Sequence, residues 1–277
     1  MWVSSSSAGP ASLLVRKCEM SFAYVSKGPV QKGVDSARTR LVVLPQLRHW
    51  LQWPAVMGAV VLALGFGMKS LPGLTSAEFA IDQDMSTHHT GALNAVALTL
   101  DALFGDLSGA ILLIVACLYL LVIRHAPVNA IAFGAVTAVG WLSCYIVKAV
   151  VGRRRPDQTL LADPLVTVPA THSFPSGQVC LATALAFALY YLARRTTWQR
   201  PTLGFGIILV LVVALSRLYL GVHYPTDVVA SIATASGAIL FFSGLWNRHT
   251  VAIISRMGFL APFGPLPSRT DKTRNHK

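Results

Sequence analysis

The chain has 277 residues, of which 54% are hydrophobic and only 12% are charged. A soluble domain is typically about a quarter charged, so this composition excludes an ordinary soluble protein and indicates an integral membrane protein. The formal net charge is +12, but the basic residues cluster at the edges of apolar runs. That distribution argues against a nucleic-acid partner.

The four cysteines are Cys18, Cys117, Cys144 and Cys180. None belongs to a CxxC pair, so the sequence indicates neither a zinc site nor a disulfide framework. The last three lie in apolar runs, and we interpret them as small core residues. No metal and no cofactor is expected.

Residues 1–50 contain serine, glycine and basic residues without a strong hydrophobic period. We predict a mobile basic cytoplasmic tail, with a candidate interfacial helix over Leu41–Trp53 that Trp50 and Trp53 would anchor. The first long apolar run begins only near Pro54, which is too deep in the chain for a cleavable signal peptide.

Six apolar runs follow, each near the ~20 residues that a bilayer requires. They predict an all-α polytopic membrane protein with a six-transmembrane-helix bundle. Residues 51–250 would form the membrane domain, and residues 251–277 a second basic cytoplasmic tail. The predicted spans are 54–71, 107–123, 128–148, 177–193, 203–220 and 226–246.

The segment between the first two spans, Thr75–Asp106, carries several acidic residues and two adjacent histidines. Adjacent histidines on a helix point in different directions, so we interpret Asp82, Asp84, His88 and His89 as a solvated outer loop rather than a metal site. The next residues, 92–104, predict a helix at the interface or across the top of the bundle.

The topology follows from the basic residues. With the N-terminus in the cytoplasm, most of the 23 lysines and arginines fall on the cytoplasmic side, as the positive-inside rule requires. The exceptions concentrate where the third to sixth spans meet the opposite side of the membrane. We therefore expect the functional site on the extracytoplasmic side.

Three stretches on that side supply groups suited to a phosphate. Lys148 and Arg155 follow the third span, and Arg217 ends the fifth. Ser176 and Gly177 open the fourth span, so their backbone N–H groups and the positive helix end predict an anion site. Cations, helix amides and a hydroxyl are together typical of phosphate binding.

The connection between the fifth and sixth spans carries His223 and Asp227. Gly221 can end one helix, and Pro225 suits the first turn of the next. Asp227 then lies in that first turn, close enough to orient the histidine. His223 is therefore a candidate nucleophile or base, and the residues alone leave both roles open.

The three stretches together resemble a known family. The chain is similar to the type 2 phosphatidic acid phosphatase superfamily, which includes lipid phosphate phosphatases and vanadium haloperoxidases and carries the motifs K-x6-R-P, P-S-G-H and S-R-x5-H-x3-D. The corresponding residues are Lys148-x6-Arg155-Pro156, Pro175-Ser176-Gly177-Gln178 and Ser216-Arg217-x5-His223-x3-Asp227.

The resemblance implies a six-helix membrane core and metal-independent phosphoryl transfer through a phosphohistidine. It implies His223 as the nucleophile and Asp227 as its partner. The phosphate ligands that it implies are Lys148, Arg155, Ser176, Gly177 and Arg217.

The second motif departs from the family at Gln178, where the family has a histidine that protonates the leaving group. An amide cannot deliver a proton at neutral pH. Either the leaving group needs no proton, as for a diphosphate, or another group such as His172 replaces the acid, or the protein only binds lipid phosphates. Arg153 and Arg154 would either extend the phosphate site or form a solvated basic loop.

These observations predict an enzyme of a bacterial-type cell membrane with a lipid phosphate or diphosphate substrate. It would hydrolyse the lipid-linked phosphate, preferably a polyprenyl diphosphate. The alternatives are a phosphotransferase that uses a lipid diphosphate and a non-catalytic lipid-phosphate-binding protein.

Overall fold

The computed structural model describes residues 37–170 and 172–267. The predicted mobile tail, up to residue 36, and the basic residues 268–277 lie outside the described residues. The described chain is all-α, which confirms the predicted fold class. Its helices are α1 Gln52–Ser70, α2 Pro72–Thr87, α3 Gly91–Leu103, α4 Asp106–Leu118, α5 Pro127–Val151, α6 Gly177–Ala193, α7 Gln199–Tyr219 and α8 Pro225–Ile254.

Within the described residues, five helices are long and apolar enough to cross a membrane: α1, α4 with its continuation to Ile123, α5, α7 and α8. The fourth predicted span corresponds to α6, which has only 17 residues. At about 1.5 Å per residue it measures about 26 Å, less than the ~30 Å of a typical hydrocarbon core. The structure thus provides five candidate spans where the sequence predicted six.

Helix α6 occupies the centre of the bundle, where it packs against α5, α7 and α8. Consecutive residues on all of its faces are buried, including Val179, Cys180, Leu181 and Ala182 at 0% exposure. A helix that is apolar and buried all round belongs to the interior of a bundle. Cys144 and Cys180 are fully buried, as predicted for core residues, whereas Cys117 is only half-buried.

The helix boundaries around the three motifs follow local sequence rules. Pro127 and Pro225 occupy the first positions of α5 and α8, where the missing proline N–H costs nothing. Gly152 ends α5 with φ 57°, and Gly221 follows α7 with φ 61°. Both glycines adopt the left-handed conformation that ends many helices, so the motif residues lie at helix ends.

The candidate interfacial helix over Leu41–Trp53 is not formed. Residues 43–47 are irregular, and a regular helix begins only at Gln52. The backbone N–H of Leu41 donates to Asn129 Oδ1 at 2.9 Å, and that of Leu44 to Asn247 Oδ1 at 2.8 Å. These side chains on α5 and α8 replace the hydrogen bonds of a helix, and both leucines are buried against the bundle.

The interpretation of Asp82, Asp84, His88 and His89 as a solvated loop is wrong for Asp82 and His89, whose side chains are buried, whereas Asp84 and His88 are exposed. Asp82 and Asp84 lie in α2, which also buries the Glu78 side chain, and His88 and His89 follow the end of this helix. Residues 91–103 form α3, which confirms the helix predicted there. The acidic segment is therefore part of the packed structure beside α7.

Gly140 of α5 provides a test of the packing. A Cβ placed there would lie 2.8 Å from both Ala184 Cβ of α6 and Ile239 Cδ1 of α8, so a larger side chain must separate three helices. We expect Gly140→Val to destabilise the protein by about 1–3 kcal/mol, measured by thermal unfolding in detergent. Gly58→Val is the control, because no atom lies within 4 Å of a Cβ there; equal effects at both positions would contradict the packing.

Candidate active site

A cavity of about 470 Å³ opens where the ends of α3, α5 and α7 meet the start of α6. Its lining brings together most of the site residues predicted from the sequence, namely Lys148, Arg155, His172, Gly177, Gln178, Arg217 and His223. Ser176 and Asp227 are fully buried, and Asp227 lies behind the lining residue His223. Three stretches that are far apart in the chain thus share one cavity.

His223 is 2% exposed and faces Arg155 with its outer nitrogen, Nε2, at 3.2 Å from Arg155 Nη1. Its inner nitrogen, Nδ1, lies 3.5 Å from Asp227 Oδ2. Burial lowers the pKa of His223 to about 3, although Asp227 opposes this shift. The imidazole is therefore neutral at pH 7, with a lone pair available for nucleophilic attack.

Asp227 is held by three donors from different parts of the chain. Arg153 Nη1 donates to Oδ1 at 2.8 Å, and Oδ2 accepts from the Ser173 hydroxyl and from the Tyr224 backbone N–H at 3.0 Å. The contact with Tyr224 is half of a capping box that begins α8. The carboxylate beside His223 therefore also stabilises the first turn of a helix.

Arg153 bridges two buried carboxylates rather than extending the phosphate site or forming a solvated loop. It is 2% exposed, and its Nη2 lies 2.7 Å from Glu78 Oε2 while Nη1 contacts Asp227. Its guanidinium also stacks 4.0 Å from the centre of the Tyr224 ring. Arg154, the next residue, is exposed.

Glu78 completes this cluster from α2. Its Oε1 accepts from the Thr226 backbone N–H at 2.7 Å, and its Oε2 accepts from the Thr226 hydroxyl at 3.0 Å. Sequence reasoning missed Glu78, because α2 carries none of the motifs. The available signal was a carboxylate in a chain where charged residues are rare and costly to bury.

The start of α6 differs in one respect from the predicted anion site. The Ser176 backbone N–H donates to Ser231 Oγ at 2.7 Å, and that hydroxyl donates to the Asp227 backbone oxygen at 2.6 Å. The Ser176 amide is thus directed into the protein. Gly177 lines the cavity, where a Cβ would meet only Cys144 Sγ at 3.6 Å.

Gln178 lies between two oppositely charged side chains at the cavity. Its Oε1 accepts from Arg217 Nη1 at 2.5 Å, and its Nε2 donates to Asp101 Oδ1 at 3.0 Å. Arg217 Nη1 also lies 2.5 Å from Asp101 Oδ1. Sequence reasoning missed Asp101, which comes from α3 and lines the cavity.

The remaining basic residues form the other side of the cavity. Lys148 Nζ donates to the His172 backbone oxygen at 2.9 Å, and the His172 side chain is exposed. Arg155 Nη1 donates to the Val222 backbone oxygen at 3.1 Å. Burial lowers the pKa of Arg155, and the charges of Asp227 and Asp101 partly offset this effect. The cations of the cavity therefore have carboxylates nearby.

The comparisons with known proteins place these residues in a family. Residues 129–250 match the PAP2 superfamily, which confirms the resemblance seen in the motifs. Decaprenylphosphoryl-5-phosphoribose phosphatase from Mycobacterium tuberculosis is 37% identical over 109 residues, which are 39% of this chain and 56% of that protein. Undecaprenyl-diphosphatase from Bacillus subtilis is 28% identical over 38% of this chain and 52% of that protein.

A solved structure supports the fold. The transmembrane PAP2 type phosphatidylglycerolphosphate phosphatase from Bacillus subtilis matches 73% of this chain and 98% of that chain, with a TM-score of 0.58 and 23% sequence identity. The chain spans about half the length of the curated relatives named above.

The Arg153 bridge predicts a large difference between two neighbouring arginines. Arg153→Met leaves Glu78 and Asp227 buried without their cation, which typically costs about 3–5 kcal/mol. The exposed Arg154 is the matched control, and we expect Arg154→Met to change stability by less than about 0.5 kcal/mol. Thermal unfolding of both variants in detergent checks this; equal losses would mean that the bridge contributes little.

Asp82 predicts a pH effect on stability. Both carboxyl oxygens are buried and lack a hydrogen-bond partner among the described residues, and burial, with the charges of Asp227 and Glu78, raises the Asp82 pKa to about 8. The folded state therefore holds a proton that the unfolded state releases above about pH 4. Stability contributed by this group falls as the pH rises from about 4 to about 8.

We expect Asp82→Asn, which mimics the protonated acid, to raise the melting temperature at pH 7 and to weaken its decline between pH 5 and 8. Asp84→Asn on the exposed side of α2 is the control. Identical pH profiles for the wild type and Asp82→Asn would show that Asp82 is ionised in the folded protein.

Proposed function

Because residues 129–250 belong to the PAP2 superfamily, we propose that this chain is a membrane lipid phosphatase. It hydrolyses a lipid-linked phosphate, preferably a diphosphate such as a polyprenyl diphosphate, through a phosphohistidine intermediate. The observation that carries the proposal is the placement of His223, whose Nε2 faces a cavity lined by Lys148, Arg155 and Arg217.

In the first half of the reaction, the His223 Nε2 lone pair attacks phosphorus and the bond to the leaving group breaks. Asp227, 3.5 Å from Nδ1, stabilises the positive charge that develops on the imidazole. Lys148 and Arg155, with the Gly177 amide, stabilise the equatorial phosphoryl oxygens. In the second half, water attacks the phosphohistidine and releases inorganic phosphate.

The preference for a diphosphate rests on Gln178. Its amide is held between Arg217 and Asp101, and amide N–H groups are too weakly acidic to protonate a leaving group at neutral pH. A departing phosphate monoester has a second pKa near about 6, whereas an alkoxide resembles hydroxide, whose parent water has a pKa of about 15.7. Cleavage of a diphosphate therefore suffers less from the missing acid. The name of the Bacillus subtilis undecaprenyl-diphosphatase agrees with this choice.

We further propose a location and a topology. The protein lies in a bacterial-type cell membrane with both termini in the cytoplasm and its cavity on the extracytoplasmic side, as the basic residues predict. Helix α6 joins the five candidate spans, so that the membrane core has six helices. Its 17 residues suffice because α5, α7 and α8 surround it and separate it from lipid.

A phosphate monoester is the second candidate substrate. The Mycobacterium tuberculosis relative, at 37% identity, is named for a decaprenyl-linked phosphoribose. Hydrolysis of such an ester would need a replacement acid, and His172 is the sequence-based candidate that lines the cavity. The following test also distinguishes the two alternative functions, a phosphotransferase and a non-catalytic binding protein.

The test is phosphate release by the purified protein in detergent, without added metal, from a polyprenyl diphosphate and the matched monophosphate. We expect diphosphate turnover that His223→Ala abolishes, and monophosphate turnover lower by about 10²–10⁴. Gln178→His should raise turnover of the monophosphate more than that of the diphosphate.

Each other outcome points elsewhere. Comparable turnover of both substrates would overturn the diphosphate preference, and loss of monophosphate turnover in His172→Asn would then identify the replacement acid. Substrate binding that survives His223→Ala, with no turnover by the wild type, would indicate a binding protein. Labelled phosphate that appears on an added lipid acceptor, and not in solution, would indicate a transferase.

A further inference from the structure

Asp101 is a carboxylate at the cavity that none of the three motifs contains. It lies near the end of α3 and its side chain is 35% exposed, whereas the Arg217 side chain that it contacts is 1% exposed. The hydrogen bonds from Arg217 Nη1, at 2.5 Å, and from Gln178 Nε2, at 3.0 Å, both reach the same carboxylate oxygen, Oδ1. No hydrogen bond to Oδ2 occurs within residues 37–170 and 172–267.

The two carboxylate oxygens of Asp101 are in different surroundings. Oδ1 fixes the carboxylate against a buried cation and an amide, and so removes the freedom of the side chain. Oδ2 is left available on a side chain that lines the cavity. A carboxylate with one anchored and one available oxygen can orient a water molecule and accept its proton.

We propose that Asp101 is the general base of the second half of the reaction and deprotonates the water that attacks the phosphohistidine. This role rests on the proposed function of His223. The water oxygen forms a bond to phosphorus while the bond from phosphorus to His223 Nε2 breaks, and its electron pair returns to the imidazole. The water proton passes to Asp101 Oδ2, which later releases it to the departing inorganic phosphate or to solvent.

The position of Asp101 explains why the chain tolerates Gln178. A proton acceptor is needed for the second half of the reaction even when the leaving group of the first half needs no proton. Gln178 cannot accept that proton, but it donates to Asp101 and thereby positions the group that can. Gln178 is in this view a positioning residue.

Arrival of the phosphoryl group changes the surroundings of Asp101. Arg217 Nη1 currently donates to Asp101 and to Gln178. An anionic phosphoryl group in the same cavity competes for this cation and repels the carboxylate.

The other carboxylate at the cavity is placed differently. Asp106 occupies the first position of α4; its side chain interacts with Tyr145, and its charge also acts on Arg155. His172 is exposed, and its backbone oxygen, not its ring, accepts from Lys148. Asp101 alone among these three contacts a residue of the second and of the third motif.

The experiment uses the full chain in detergent and a polyprenyl diphosphate labelled in its terminal phosphate. In Asp101→Asn we expect a burst of lipid monophosphate close to one equivalent per enzyme, followed by turnover slowed by about 10²–10⁴. The label should accumulate on His223 as an acid-labile phosphohistidine. Asp101→Glu, which keeps a carboxylate, should recover part of the turnover without the accumulation.

A slow Asp101→Asn enzyme without a burst or accumulated phosphohistidine would overturn the proposal, because the loss would then precede phosphoryl transfer or be structural. Unchanged turnover in Asp101→Asn would also overturn it. Asp84→Asn, on the exposed side of α2, is the control and should behave as the wild type does.

The same measurements separate this proposal from the proposed function. Turnover by the His223→Ala variant at the wild-type rate would refute the phosphohistidine intermediate, and with it the role of Asp101. Wild-type turnover that requires His223 and is indifferent to Asp101→Asn would refute the role of Asp101 alone.

Discussion

The buried arginine Arg153 connects the catalytic candidates to the rest of the fold. Its guanidinium joins Glu78 of α2 to Asp227 of α8, at 2.7 and 2.8 Å. Two carboxylates could not share this dry region without a cation between them, because each uncompensated buried charge is costly. Once Arg153 is in place, Asp227 can stay ionised beside His223. The cluster therefore fixes the position of α2 against the helix pair that carries His223.

The cavity exists because helix ends, rather than helix faces, supply its residues. Lys148 lies near the end of α5, Gly177 begins α6 and Arg217 lies near the end of α7. Helix ends expose backbone donors and acceptors that lack partners within the helix, so polar side chains and anions are more easily accommodated there than along an apolar face. The apolar middle of the bundle then serves as a rigid support for a polar site at one end.

Much of this site could be predicted from the sequence because its motifs have fixed spacings around helix boundaries. Gly152, Gly221 and Pro225 mark those boundaries, and the cations and the histidine follow from them. The partners of the motifs could not be predicted in the same way. Glu78 and Asp101 lie on connecting helices without a motif, and only tertiary packing selects which cation each one meets. Tertiary packing also explains why the predicted helix near Leu44 is replaced by irregular chain. The Leu44 backbone N–H donates to Asn247, which is about 200 residues away in the sequence.

Asp227 contacts both the proposed nucleophile and the start of α8, and this affects how a homologue with altered site residues should be interpreted. In the proposed reaction the carboxylate supports His223, but it also accepts from the Tyr224 backbone N–H and so starts α8. A descendant that had lost its chemistry would still need this aspartate to begin its longest helix. His223, by contrast, caps no helix, and drift would remove it first. In a lineage of such proteins, the histidine is therefore the better record of retained activity, while the aspartate records mainly that the chain still folds.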